Sequence, residues 1–128
     1  MKRLLVASGL LVFSMFLSVG PASAGVVNAT DKTYYDEVIR TYDPVVLEFW
    51  APWCGYCRKM APEVDELAKE YEGKMKVVKI DTSDNSETAK KYKVDGIPAF
   101  FLVKDGQVVS KAVGYCSKEQ LKKKLGLK

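Results

Sequence analysis

Cys54 and Cys57 stand in Trp53-Cys54-Gly55-Tyr56-Cys57, and two thiols at that spacing can close a small disulfide ring. Such a pair holds or releases two electrons. Its flanks say how it is set. Before it runs Val45-Val46-Leu47-Glu48-Phe49-Trp50, an apolar β-prone segment. After it, Met60, Val64, Leu67, Ala68 and Tyr71 recur at helical spacing. The cysteines therefore fall where a buried strand hands over to a helix N-terminus. Unsatisfied N–H groups and the helix dipole there favour a thiolate on Cys54. The chemistry implied is thiol–disulfide exchange.

Composition removes most rivals. The chain of 128 residues has no histidine, so Cys-His and Ser-His nucleophile pairs and His-containing metal sites are excluded. Arg58 stands where covalent haem attachment needs its histidine after Cys57. A lone C-x-x-C closes too short a loop to be a good structural staple, which favours catalytic use. The alternative from another class is a binding module that carries a metal on Cys54 and Cys57 as soft ligands; no further ligands accompany them. No bound cofactor is expected, because dithiols carry the electrons themselves. Cys116, the third cysteine, reads as a small buried hydrophobe, with a regulatory or intermolecular thiol as the alternative.

The N-terminus has Met1-Lys2-Arg3, an apolar run from Leu4 to Val19, and Gly20-Pro21-Ala22-Ser23-Ala24. These are the three parts of a secretory signal peptide. Cleavage after Ala24 would leave residues 25–128 as one small domain. The alternative is an uncleaved anchor through residues 4–19. Either way the folded part is expected outside the cytoplasm, in a periplasm. Losing Lys2 and Arg3 takes the basic count from 20 to 18 against 16 acids, a net of +2. That near-balance argues against nucleic-acid binding by charge. Lys122, Lys123 and Lys124 read as a solvated helix face. With no apolar surface stripe unassigned, a monomer is expected.

The elements that must position the cysteines follow from local signals. Val26-Val27 is a strand candidate, and Thr30 or Asp31 can cap a helix with Tyr35, Val38, Ile39 and Tyr42 as its apolar stripe. Asp43-Pro44 stops it. Pro62 interrupts the helix after Cys54 and is expected to kink it, and Gly73 to close it. Met75 to Ile80 reads as a buried strand, Ser86 to Tyr92 as a short helix, and Ala99 to Val103 as another strand. Asp105-Gly106 signals a hairpin into Val108–Val113, which Gly114 breaks. Ser117 with Gln120 makes a capping box for a last helix ending at Gly126. Strands alternating with helices imply parallel pairing, and the hairpin adds an antiparallel edge.

With these pieces in place the chain resembles the thioredoxin family over essentially all of residues 25–128. Glu48-Phe49-Trp50-Ala51-Pro52-Trp53-Cys54-Gly55-Tyr56-Cys57, Lys79-Ile80-Asp81, Gly96-Ile97-Pro98 and Val113-Gly114 carry the likeness. They come in the family's order, with no insertion before Gly96-Ile97-Pro98. The resemblance implies an α/β thioredoxin fold, a central mixed sheet in the order β-α-β-α-β-α-β-β-α flanked by helices. It implies Cys54 as the exposed attacking thiolate, Cys57 as the buried resolving thiol, and Pro98 as a cis-proline facing the disulfide. Trp53, Gly55, Tyr56, Ile97 and Gly114 would contact substrate, Ile97 through its backbone. Trp50 would pack just beneath.

Two departures from the family pattern matter. Glu48 stands where the family usually has aspartate, the proton acceptor for the resolving cysteine, and Lys79 matches the lysine beside that acid. Glutamate is one methylene longer, so its reach toward Cys57 differs; the alternative is a purely structural Glu48–Lys79 pair. Tyr56 stands where cytoplasmic thioredoxins have proline, and Cys-Gly-Tyr-Cys is similar to the motif of exported disulfide isomerases. Potentials in the family run from about −270 to about −120 mV, a span of about 7 kcal/mol. The implied function is thiol–disulfide oxidoreduction, most simply reduction of exported proteins' disulfides, fed by a membrane thiol–disulfide electron donor. An isomerase or oxidant on the same residues is the alternative. Ile97 before the proline, and the lack of room for a dimerisation domain, favour the reductase.

Overall fold

A strand buried on both faces needs partners on both edges, and Val45–Trp50 (β2) finds them. The computed structural model describes residues 25–128, and the signal-like segment 1–24 lies outside the described residues. Five strands form one sheet in the order β1-β3-β2-β4-β5: Val27–Ala29 (β1), β2, Lys76–Asp81 (β3), Ala99–Lys104 (β4) and Gln107–Val113 (β5). β3 runs parallel to β1 and β2, whereas β4 is antiparallel to β2 and β5 to β4. The mixed sheet and the closing hairpin are those the sequence predicts. The helices are Gly55–Glu70 (α1), Ser86–Lys91 (α2) and Lys118–Leu125 (α3).

The period of two along β2 divides the core. Val46 joins Met60, Val64 and Leu67 of α1, Phe100 and Leu102 of β4, and Leu121 and Leu125 of α3. Val45, Leu47 and Phe49 pack on the opposite face with Val78, Ile80, Phe101 and Val38. By the same alternation Glu48 belongs to the face that α1 covers. Phe49, Tyr92 and Phe101 interlock on the other face as tilted and edge-to-face rings.

The first helix differs from expectation. Tyr35–Ile39 forms one π-helical turn, closed by the Arg40 N–H donating to the Tyr35 carbonyl at 2.9 Å. Tyr42 is fully exposed and Tyr35 largely so, while Tyr34 is the buried ring. Val38 and Ile39 keep their place against the core, but the turn ends at Arg40, before Asp43-Pro44, so Tyr42 falls outside it. The Tyr34 hydroxyl pairs with that of Tyr92 at 2.9 Å. The capping expectation also divides. Thr30 hydrogen-bonds Thr33 within its own turn, whereas Asp31 caps α2. Its carboxylate accepts from the Thr88 N–H at 2.9 Å, the Thr88 hydroxyl at 2.6 Å and the Glu87 N–H at 3.3 Å.

α1 runs unbroken through Pro62 and ends at Glu70, with Tyr71 as its C-cap, so Gly73 lies in the following turn rather than closing the helix. Asp105 and Gly106 both have positive φ, as a tight hairpin demands. α3 starts with the reciprocal Ser117–Gln120 capping box and stops at Gly126. Lys122 does not stand on a free solvated face. Its Nζ lies 2.9 Å from Glu70 of α1 and 3.6 Å from Glu119, which latches α3 to α1.

Candidate active site

β2 ends at Trp50, Ala51 is fully buried, and the chain turns into α1 at Cys54. The Cys54 N–H donates to the Ala51 carbonyl at 3.1 Å, which folds that turn. Cys54 is the N-cap of α1, and its Sγ accepts from the Cys57 N–H at 3.2 Å. A sulfur at this position meets a helix amide that has no partner within the helix, the arrangement that favours a thiolate. Cys54 and Cys57 are joined as a disulfide.

The two sulfurs are not equally accessible, but the contrast is smaller than expected. Cys54 is 7 % exposed and Cys57 is 1 %. Cys54 therefore presents a narrow window rather than an exposed thiol, because Ala51, Trp50 and Ile97 pack around the pair. The Ile97–Pro98 peptide bond is cis. The Cys54 Sγ lies 3.9 Å from the Ile97 carbonyl oxygen, so β4's leading loop meets α1's first turn at the sulfur. The Gly114 N–H donates to the Pro98 carbonyl at 2.8 Å, and Gly114 has φ +93°, a conformation that side chains rarely adopt. Gly55 is under no such demand, since a Cβ there would meet only the Arg58 guanidinium at 4.0 Å.

Around this window the rings differ. Trp53 is 72 % exposed and Tyr56 is 65 %, so neither is core packing. Trp53 borders a cleft of about 180 Å³ with Thr82, Ala89, Val94, Asp95, Gly96 and Ile97. Thr82 binds the Trp50 carbonyl through its N–H at 2.8 Å and its hydroxyl at 3.1 Å, holding the end of β2. Thr82, Val94 and Asp95 went unrecognised in the sequence. Gly96 next to Ile97-Pro98 marked the loop, but nothing local showed which neighbours would line it.

Glu48 and Lys79 are register partners on parallel strands. Glu48 is wholly buried and neither carboxylate oxygen has a hydrogen-bond partner. Lys79 Nζ lies 3.9 Å from its Oε2, too far for a hydrogen bond, and also stacks 4.5 Å from the Trp50 ring centre. Burial pushes the Glu48 carboxyl up to about 7; Lys79 draws it down and Asp65 of α1 adds to the rise. No hydrogen bond joins Glu48 to Cys57. The arrangement is a buried acid able to hold or lose a proton near neutrality, on the α1 face of the sheet. Cys116 is buried in the core cluster beneath α1 and α3, where burial pushes its thiol up, Lys124 draws it down and Glu63 adds to the rise.

Comparison with known proteins agrees with this geometry. The thioredoxin family model matches residues 25–126. A thioredoxin of Pseudomonas aeruginosa is 44% identical over 99 residues, covering 77% of this chain and 92% of its own length. Thioredoxin 1 of a Nostoc species is 47% identical over 96 residues, 75% of this chain and 90% of that one. A thioredoxin of Haemophilus influenzae is 44% identical over 96 residues, with the same coverage.

Proposed function

This chain belongs to the thioredoxin family and is a dithiol–disulfide oxidoreductase with a C-x-x-C pair, and we propose that it works as an exported reductant of protein disulfides. The observation that carries the reading is the Cys54–Cys57 pair at the N-cap of α1, facing the Ile97 carbonyl. In the reduced protein the Cys54 thiolate attacks one sulfur of a substrate disulfide. A mixed disulfide forms, and the other substrate sulfur leaves as a thiolate that takes a proton from water. Cys57 gives up its proton, relayed by water to the Glu48 carboxylate because no hydrogen bond joins the two side chains, and attacks the Cys54 sulfur. The second substrate thiolate leaves, and the Cys54–Cys57 disulfide remains. Two electrons have moved to the substrate.

Trp53, Gly55, Tyr56, Ile97 and Gly114 would seat the substrate chain, with Pro98 opposite the disulfide. Lys79 would hold Glu48 in place. Support for export comes from the basic, apolar and A-x-A pattern in residues 1–24, which precede the family match. The substrates are then exported proteins with disulfides, and the donor a membrane thiol carrier. N-terminal sequencing of the mature protein is expected to begin at Gly25; an intact Met1 would mean that residues 1–24 are retained, against cleavage after Ala24.

Tyr56 favours a second reading, in which the same site oxidises or isomerises. Its potential separates the two. Equilibration of the 25–128 domain with glutathione is expected to give a value near about −270 mV, the reducing end of the family. A value above about −180 mV would reassign the protein as an oxidant or isomerase. Replacing Cys54 with serine is expected to abolish insulin reduction, and retained turnover would remove Cys54 from the mechanism.

A further inference from the structure

Lys59 follows Tyr56 by three positions on α1, so the two side chains stand on one side of the helix, one turn apart. Lys59 Nζ lies 4.4 Å from the centre of the Tyr115 ring. Tyr115 follows Gly114, whose N–H binds the Pro98 carbonyl at 2.8 Å. The Lys59–Tyr115 contact therefore bridges α1 to the loop that is hydrogen-bonded to Pro98, next to the Ile97 carbonyl that meets the Cys54 sulfur. Arg58 adds charge, since its guanidinium folds back to within 4.0 Å of where a Cβ on Gly55 would stand.

Among the described residues this charge has no ion-pair partner in contact: neither Arg58 nor Lys59 lies within 4.0 Å of a carboxylate. Glu63, one turn beyond Lys59 on α1, instead accepts from the Lys118 N–H at 2.8 Å. The cleft that Trp53 borders is different, with Trp53, Val94 and Ile97 apolar and Asp95 of opposite sign. The site thus has a polarity along which an extended chain can be oriented.

We propose that Tyr56, Lys59 and Tyr115 form an aromatic and cationic wall beside the disulfide, which selects substrate segments carrying a carboxylate next to the reacting cysteine. The inference rests on the oxidoreductase reading and names the substrate class. The tyrosine rings offer flat apolar area, and Tyr115 holds the lysine ammonium in place by cation–π attraction. Docked over this wall, an aspartate or glutamate neutralises Lys59 while its cysteine sulfur meets Cys54.

The test compares two disulfide-bridged peptides that differ only in having glutamate or lysine beside the reacting cysteine. Each is reduced by the dithiol protein, which passes two electrons to the peptide and becomes the Cys54–Cys57 disulfide. The glutamate peptide is expected to show about fivefold higher kcat/KM at low salt, with the ratio collapsing toward one in molar salt. Lys59→Glu is expected to reverse the ratio, and Tyr115→Ala to narrow it. Equal rates for the two peptides, or a preference that survives Lys59→Glu, would overturn the proposal. The Cys54–Cys57 potential is measured on the same variant; a shifted potential with equal loss for both peptides would assign Lys59 to thiolate stabilisation and also overturn it. If neither peptide is reduced, the reductase reading fails. Selectivity is then read as the rate at which the protein disulfide oxidises each peptide dithiol, and the same preference is expected.

Discussion

Glu48 concentrates the chemistry of a single residue. Its carboxyl is wholly buried without a hydrogen bond, and burial pushes its pKa from the ordinary 4.5 to about 7. The folded protein thus keeps, between those values, a proton that the unfolded chain has already lost. Its contribution to stability therefore falls as pH rises from 4.5 to about 7 and then levels off. Each pH unit in that window is worth about 1.4 kcal/mol, so the whole decline is about 3 kcal/mol. Urea unfolding across pH 4–9 is expected to show it. Glu48→Gln is expected to flatten the decline and to raise stability above pH 7; an unchanged pH profile in the variant would mean that another group is responsible. Sequence alone singled out Glu48 as the polar residue in an apolar strand and Lys79 as its companion by family likeness. It did not show that the two stand 3.9 Å apart with the Trp50 ring sharing the lysine. That spacing depends on the register between β2 and β3, which no local signal sets.

Among the elements, α2 shows how a short helix is held from a distance. Six residues are too few for a helix to persist by its own propensity. Asp31, from the turn after β1, satisfies the amides of Glu87 and Thr88, and the Asn85 side chain accepts from the Asp31 N–H at 2.9 Å. Burial pushes the Asp31 carboxyl up, but the Thr88 hydroxyl and the two N–H groups outweigh it and hold its pKa below the ordinary 3.8. Its contribution is therefore complete above that value and is lost as pH falls through the lower folded one. Asp31→Ala is expected to cost about 1–2 kcal/mol near neutral pH and to speed amide exchange at Glu87 and Thr88. Exchange there that matches the unmodified protein would mean that the cap is dispensable. Asp31 announced itself as a capping residue in the sequence. Its helix proved to be another one, because an N-cap needs only an orphan amide within reach and not a sequence neighbour.

For the whole molecule, the buried Cys116 reports on the integrity of the core that seats α1. It belongs to the cluster joining α1, β4 and α3, and it is the free cysteine of the oxidised protein. A thiol reagent is expected to leave the native oxidised protein unlabelled and to react along the global unfolding transition in denaturant. Fast labelling without denaturant would expose Cys116 as a regulatory thiol instead. The strand–helix junction at Cys54, the hairpin at Asp105-Gly106 and the Ser117–Gln120 capping box were all readable from the chain, because each depends on residues within about four positions. The apolar faces of β2 and α1 were readable too, since periods of two and 3.6 repeat within one element. The narrow window over Cys54, the reach of Asp31 to α2 and the bridge from Lys59 to Tyr115 were not. Each joins segments separated by dozens of residues, whose approach follows from strand order and side-chain packing across the sheet.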